Sequence, residues 1–146
     1  MSTIRIAAES DMQRIMEIEK ETISPPWTHG WLLEEIYNDD SLFSLAVEGD
    51  AIIGFVILRR VADESELFQI AVDAAYRCRG IADSLLGAAL EWARDCGIKS
   101  IFLEVRESNA AAIALYAKHG FRQTRRREDY YTEPVEDAVI MMRSVC

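Results

Sequence analysis

The sequence predicts one mixed α/β domain, a single sheet of about seven strands with about four helices over both of its faces. Three observations predict it. The chain has 146 residues, half of them hydrophobic, which matches one domain with one core spanning residues 1–146. Three strand-like runs follow one another at residues 42–48, 51–61 and 66–72, and Gly49-Asp50 between the first two has the composition of a hairpin turn. Residues 67–105 then read strand–helix–strand, which requires a right-handed parallel crossover. Antiparallel hairpins plus one parallel crossover make the sheet mixed.

The remaining elements follow in chain order. Residues 3–7 alternate as a short strand. Ser10-Asp11-Met12-Gln13 has the form of a capping box, in which the Ser10 hydroxyl and the Gln13 side chain satisfy free amides. Met12, Ile15, Met16 and Ile18 then lie near one helical face, and Pro25-Pro26 stops that helix. Thr28 caps a second helix carrying Trp31, Leu32, Ile36 and Tyr37. Ile81, Leu85, Ala89, Trp92, Ala93 and Cys96 recur at helical spacing as far as Gly97, a C-terminal stop. A strand at residues 100–106 precedes a helix capped by Ser108 or Asn109, bearing Ile113, Tyr116 and Ala117 and ended by Gly120. Strands near residues 121–131 and 137–143 close the domain.

Composition narrows the function classes. A formal net charge of −9 argues against general nucleic-acid binding. No apolar run approaches the roughly 18–20 residues that cross a bilayer, so no membrane partner is expected. Met1-Ser2-Thr3-Ile4-Arg5 lacks the apolar stretch of an export signal. Cys78, Cys96 and Cys146 are odd in number and form no Cys-x-x-Cys pair, which points to neither a disulfide framework nor a metal site. The expectation is a cytoplasmic, reduced protein without metal. Charge is also segregated. Acids gather at Glu34, Glu35, Asp39 and Asp40, at Asp63, Glu64 and Glu66, and at Glu133, Glu136 and Asp137; bases gather at Arg77, Arg79, Arg122 and Arg125-Arg126-Arg127. That separation suits a basic substrate at one place and an anionic cofactor at another. An ordinary solvated surface shows the same pattern.

The loop Arg77-x-x-Gly80-x-Ala82 lies between a strand and a helix, where backbone amides at a helix N-terminus bind anions. Gly80 lets the backbone approach a ligand, Ala82 keeps the next position small, and Arg77 and Arg79 add positive charge. A phosphate or pyrophosphate is the expected ligand, although a plain turn between strand and helix has similar composition.

In this context the chain resembles the GNAT superfamily of N-acetyltransferases, whose signature is Gln/Arg-x-x-Gly-x-Gly/Ala after a strand and before a long helix. Leu67-Phe68-Gln69-Ile70-Ala71-Val72-Asp73, the stretch at residues 103–116 with its following Gly120-Phe121, and the late Tyr130-Tyr131 and Glu136-Asp137-Ala138 resemble the branch acting on bacterial ribosomal-protein alanine N-termini. The resemblance covers nearly the whole chain and is strongest over residues 67–121. It departs at Ala82, where many relatives have Gly, and at Cys78, where a basic residue is common. It implies acetyl-CoA as co-substrate, its pantetheine arm in a gap where the strands ending at Val72 and beginning near Ile101 splay apart. Backbone groups of Ile70, Ala71 and Val72 would bond that arm, Arg77, Cys78, Arg79, Gly80, Ile81, Ala82 and Asp83 would line the pyrophosphate, and Asn109 would reach the arm from the far side.

Acetyl transfer from a thioester to an amine needs a deprotonated amine, a stabilised oxyanion and a proton for the departing thiolate. The resemblance gives the oxyanion to the Val72 amide. Glu104 is the candidate general base: strand alternation sets it with Phe102 and Arg106, opposite Leu103 and Val105, where a carboxylate is partly desolvated. The plain alternative is a strand-end glutamate paired with Arg106. Tyr116 is the candidate general acid, seven residues after Asn109 and near the same helical face; at helical spacing it would otherwise be a core tyrosine. Tyr130 and Tyr131 are the candidate substrate-binding residues, which the resemblance places on the same side of the splayed sheet as the loop at residues 23–28. His29 and His119 are expected to be structural, and Trp27 and Trp31 to shape the mouth or join the core. The expected reaction is acetylation of a protein N-terminal amine, a ribosomal protein being the implied partner. Acetylation of a small cationic amine or a lysine side chain, or non-catalytic acetyl-CoA binding, stands as the alternative.

Overall fold

The structure, a computed structural model, describes residues 2–145. Cys146 lies outside the described residues. In chain order the elements are β1 (Ser2–Ile6), α1 (Met12–Thr22), α2 (His29–Tyr37), β2 (Ser41–Glu48), β3 (Ala51–Val61), β4 (Glu64–Val72), α3 (Ile81–Asp95), β5 (Ser100–Arg106), α4 (Ala110–Lys118), β6 (Arg122–Thr132) and β7 (Val135–Ser144). The seven strands form one sheet in the order β1-β2-β3-β4-β5-β7-β6. β4 and β5 pair in parallel through the α3 crossover, and the other neighbours are antiparallel. This is the mixed sheet the sequence predicts.

Helices cover both faces because the central strands are apolar on both. In β2, Leu42 and Ala46 face one core cluster while Phe43, Leu45 and Val47 face the other, as a period of two demands. The α3 stripe of Ile81, Leu85, Leu86, Ala89, Leu90 and Ala93 packs on the first face. Met12, Ile15 and Ile18 of α1 and Leu32 of α2 pack on the second.

Caps mostly follow the sequence, with one correction. The Thr28 hydroxyl accepts from the Trp31 amide at 3.2 Å, and the Asn109 side chain, rather than Ser108, accepts from the Ala112 amide at 3.2 Å. The Ser10–Gln13 capping box is absent. A 3-10 turn over Glu9–Asp11 precedes α1 instead, and Asp11 accepts from the Ala8 amide at 2.8 Å and from the Arg5 guanidinium at 2.9 Å through both oxygens. A carboxylate in a bidentate pair with arginine outcompetes a neutral Ser/Gln exchange one position away.

Two irregularities place the functional site. In β4, Gln69 pairs with Ile57 but Leu67 pairs with Leu58, so Phe68 is an extra residue. This bulge turns Phe68 and Gln69 toward the α1–α2 side, while Leu67 and Ile70 meet the α3 side. The second irregularity is the parallel pair itself. β4 and β5 are in register only at Glu64↔Ser100, Ser65↔Ile101 and Glu66↔Phe102. Beyond Glu66 the strands separate, which is the splay implied by the resemblance.

Gly54 sits where β3 supports the end of β4, opposite Val72. A Cβ there would lie 2.7 Å from the Ala71 carbonyl oxygen and 3.3 Å from Leu85 Cδ1, and a backbone oxygen inside a sheet has nowhere to retreat. Gly54→Ala is therefore expected to destabilise the fold by about 1–3 kcal/mol. Urea denaturation reads this directly; an unchanged midpoint would show that the sheet yields at this point.

Candidate functional site

The splay opens a cavity of about 430 Å³ between β4 and β5. Its walls are drawn from five parts of the chain: residues 22–27 and Trp31, the bulged Phe68-Gln69-Ile70, Glu104-Val105-Arg106 of β5, Asn109, Ala112 and Tyr116 at α4, and Tyr131 from β6. The predicted residues Ile70, Glu104, Asn109, Tyr116 and Tyr131 thus line one space, together with the loop expected on its acceptor side. Ala71 is buried and faces the α1–α2 core, so its backbone, not its side chain, is what it can offer.

A second, smaller hollow of about 140 Å³ lies beyond the C-terminal end of β4, lined by Val72, Tyr76, Arg77, Cys78, Gly80, Ile81, Ala82 and Asp83. Gly80 caps α3 with φ 78°, and Cys78 also has positive φ, at 63°. Left-handed residues interleaved with ordinary ones turn successive amides toward one side, the geometry of an anion nest. The amides of Ile81, Ala82 and Asp83 open α3 and have no intrahelical acceptor. The donor set fits a diphosphate. Arg79 lies over the Tyr76 ring, 5.2 Å from its centroid. The approach to this loop is pinned: the Asp73 carboxylate accepts from the Ala75 amide at 2.9 Å and pairs with Arg14 of α1. Both bonds hold its carboxyl below the usual range, the Ala75 amide most. The Asp83 carboxylate accepts from His119 at 2.8 Å and Lys118 at 3.0 Å. His119 thereby ties the end of α4 to the start of α3, the structural role expected of it, and its bond is the main reason the Asp83 carboxyl is held low.

Glu104 follows the predicted alternation: Ile101, Leu103 and Val105 are buried, and Phe102, Glu104 and Arg106 are partly open on the other face. Its partner is Arg127 at 3.1 Å, not Arg106. Arg106 instead donates to the Glu133 and Pro134 carbonyls at 3.2 and 3.1 Å and pairs with Glu136, which fastens the β6–β7 turn to β5. It also stacks on Tyr131, 4.3 Å from the ring centroid. Between Arg127↔Ala138 and Tyr131↔Glu136 the β6 register slips, with Asp129 at φ 49° and its amide bonded to Asp137 at 3.0 Å. This bulge re-aims Tyr130 and Tyr131 toward β5. Tyr130 is exposed, and the neighbouring Glu104 carboxylate is the chief reason its hydroxyl is pushed up; Tyr131 is half-buried, and burial pushes its hydroxyl up to about 12. Tyr116 is 6 % exposed, packs on Phe121 with centroids 5.8 Å apart, and burial pushes its hydroxyl far up. It is a core residue that also lines the cavity.

Three polar residues of the site escape a reading of the sequence. Glu66 lies on the last paired rung of β4, and burial, reinforced by the nearby Glu104 charge, pushes its carboxyl up. Arg127 sits opposite Ala138 and reaches Glu104 diagonally across β7. Gln69 points to α1 only because of the β4 bulge, and bonds Glu19 there. The acidic cluster at residues 63–66 and the basic run at residues 125–127 marked the charges of Glu66 and Arg127 but not their place beside Glu104. Trp27 and Trp31 do shape the mouth, with Trp31 60 % exposed and the two rings edge to face at 6.1 Å.

Comparison with known proteins agrees with this geometry. The model of the acetyltransferase (GNAT) family matches residues 12–121. The chain is 39 % identical over 141 residues to the ribosomal protein bS18-alanine N-acetyltransferase of Haemophilus ducreyi, covering 94 % of this chain and 97 % of that protein. The crystal structure of the ribosomal-protein-S18-alanine N-acetyltransferase from Escherichia coli superposes with a TM-score of 0.92 at 33 % identity, over 99 % of this chain and 94 % of that one. That of Ard1 from Thermoplasma volcanium superposes with a TM-score of 0.91 at 26 % identity, over 99 % and 98 %. A sheet splayed at its one parallel pair, an anion nest beside the splay and relatives matched over nearly their full length make this chain a member of the GNAT acetyltransferase family, an acetyl-CoA-dependent N-acetyltransferase.

Proposed function

We propose that the enzyme acetylates the N-terminal amine of a protein, with the N-terminal alanine of ribosomal protein bS18 as the acceptor, Glu104 as general base and Tyr116 as general acid. The observation that carries this is the single cavity in which Glu104, Tyr116 and Tyr131 meet the loop at residues 22–27. The bS18-alanine N-acetyltransferase relatives, matched over nearly their full length, support the acceptor. In this reading the thioester enters from the side of the residue 77–83 loop and the amine from the side of Trp27, Trp31 and Tyr131. Nitrogen bonds to the acetyl carbon and the carbon–sulfur bond breaks. The proton leaving nitrogen goes to Glu104, and the thiolate takes a proton from Tyr116. Ile70, Ala71 and Val72 lie on the β4 edge that β5 leaves unpaired, so their backbone groups are available to the pantetheine arm, with Asn109 across the gap. The Val72 amide is the proposed oxyanion donor. Tyr130 and Tyr131 wall the path of the first peptide residues, and Glu34, 64 % exposed beside the mouth, suits a cationic acceptor.

The loop assignment is tested by Gly80→Glu, which forces a side chain into the left-handed region and adds negative charge beside the proposed diphosphate. Acetyl-CoA binding by calorimetry should vanish in a variant that melts like the wild type; unchanged affinity would remove the loop from the site.

The chemistry is tested by two isosteric changes. Glu104→Gln should lower turnover by about 10²–10⁴-fold, with partial recovery at high pH, where more of the amine, with a pKa near 8, is already neutral. Tyr116→Phe should slow turnover while calorimetric acetyl-CoA affinity holds. Wild-type rates across pH for the first, or parallel loss of binding and rate for the second, would assign those residues to packing.

The acceptor is tested by mass spectrometry of peptides incubated with enzyme and acetyl-CoA. A peptide with the bS18 N-terminus and a free amine should gain one acetyl group, and the same peptide with a blocked N-terminus none. Tyr130→Ala and Tyr131→Ala should raise the peptide KM in one or both while the acetyl-CoA KM is unchanged. Modification of an internal lysine in the blocked peptide, or of a free polyamine alone, would replace this reading with acetylation of a side-chain or small amine.

A further inference from the structure

Glu19 is an acid where the packing admits none. It lies on α1, is 1 % exposed and forms no ion pair among the described residues. One oxygen, Oε2, accepts from the Trp27 amide at 2.8 Å and from Gln69 Nε2 at 3.0 Å. Its other oxygen and Gln69 Oε1 are both buried without a partner. The two residues it holds are the anchor of the α1–α2 loop and the residue turned inward by the β4 bulge. Trp27 in turn packs on Phe68, centroids 5.5 Å apart, and Trp27, Phe68 and Gln69 all line the acceptor side of the cavity.

We propose that Glu19 is a positioning residue that, through Gln69 and the Trp27 amide, locks the α1–α2 loop onto the bulged stretch of β4 and so sets the width of the acceptor entrance. The inference rests on the reading that the acceptor enters on that side. Two orphaned acceptors facing one buried pair call for one hydrogen: a proton on Glu19 Oε1, donated to Gln69 Oε1, would complete a two-bond carboxyl–amide pair and leave no buried oxygen unsatisfied. The surroundings agree. The charged groups on the neighbouring elements are engaged elsewhere: Arg14 of α1 with Asp73 and Glu17, Arg59 of β3 with Glu34 and Glu35 of α2, and Glu66 of β4 beside Glu104. Burial therefore governs the Glu19 carboxyl and pushes it up, against the Trp27 and Gln69 bonds. A carboxyl raised on folding stabilises the fold in its protonated form, so that contribution is full at low pH and is lost as pH rises through the folded-state value.

The test compares Glu19→Gln, Glu19→Ala, Gln69→Glu and the swap Glu19→Gln/Gln69→Glu in the full-length enzyme. A glutamine at position 19 can accept both existing bonds and donate to Gln69 Oε1, so Glu19→Gln should keep the peptide KM within about twofold, and its melting temperature should gain on the wild type as pH rises. Glu19→Ala should raise the peptide KM about tenfold with the acetyl-CoA KM unchanged, and should abolish hydrogen-exchange protection of the Trp27 amide, which Glu19→Gln retains. Gln69→Glu alone should be impaired and the swap restored, which keeps the test decisive if Glu19→Ala does not fold. The exchange measurement is made without acceptor, so it judges Glu19 even if the wild type acetylates no N-terminal peptide, an outcome that would count against the acceptor reading alone. Equal damage from Glu19→Gln and Glu19→Ala, an unprotected Trp27 amide in the wild type, or a swap no better than Gln69→Glu would overturn the proposal.

Discussion

Everything functional in this protein depends on two neighbouring parallel strands ceasing to pair. Backbone N–H and C=O groups are obligatory hydrogen-bonding groups, and a sheet interior normally satisfies them strand to strand. β4 and β5 do so at three rungs and then part, while β4 stays paired to β3 along its other edge and β5 to β7. Each strand thus keeps one satisfied edge and offers the other to a ligand. A polar, extended arm such as pantetheine can use those groups as an added strand uses a sheet edge. The gap costs little stability because both separating strands keep a full partner and because α4, with buried Tyr116, closes the α3 side.

What holds the gap open is a ring of polar anchors outside the apolar core. Arg14 and Asp73 fix the end of β4, Arg106 fixes the β6–β7 turn against β5, and Asp83 with Lys118 and His119 joins the helices that flank the gap. Most of these pairs are partly exposed, and each contributes modestly on its own. Their value is geometric. Arg106 has carbonyl, carboxylate and aromatic partners at once, so the turn carrying Tyr130 and Tyr131 keeps one distance from Glu104.

The elements were legible in the sequence because their signals are local. The α3 stripe, the Gly49-Asp50 turn and the alternation around Glu104 are readable within a dozen residues, and the crossover follows from their order. The loop at residues 77–82 was legible for the same reason. The splay was not: residues 67–72 and 103–106 alternate as any strands do, and only the family resemblance pointed to a gap. Bulges defeat alternation altogether. Leu67, Phe68 and Gln69 read as three residues on alternating faces, yet Phe68 and Gln69 share one, so the partnership of Gln69 with Glu19 fifty residues away had no sequence signal. Arg127 meets Glu104 across the intervening β7, a contact set by the order of the strands in the sheet and not by any local pattern. The capping box failed for a different reason: Asp11 had a stronger partner in Arg5, from a strand the local pattern could not weigh.

The two ends of the gap carry opposite charge, and this bears on how both substrates share it. At the α3 end stand Arg77 and Arg79 with the open amides of the helix start; at the other end stand Glu104 and Glu66, whose neighbouring carboxylates favour a cation or a shared proton. The Arg127 guanidinium occupies that position on Glu104. An incoming ammonium has the same charge and must take its place, so on the proposed reading substrate binding exchanges one cation for another rather than desolvating a bare carboxylate. That exchange is cheap, because Arg127 is half exposed, returns readily to water and keeps its stacking on Tyr130 at 4.5 Å. On that reading Glu104 has a charge partner before the amine arrives, and an amine that arrives protonated is delivered directly to the group proposed to deprotonate it.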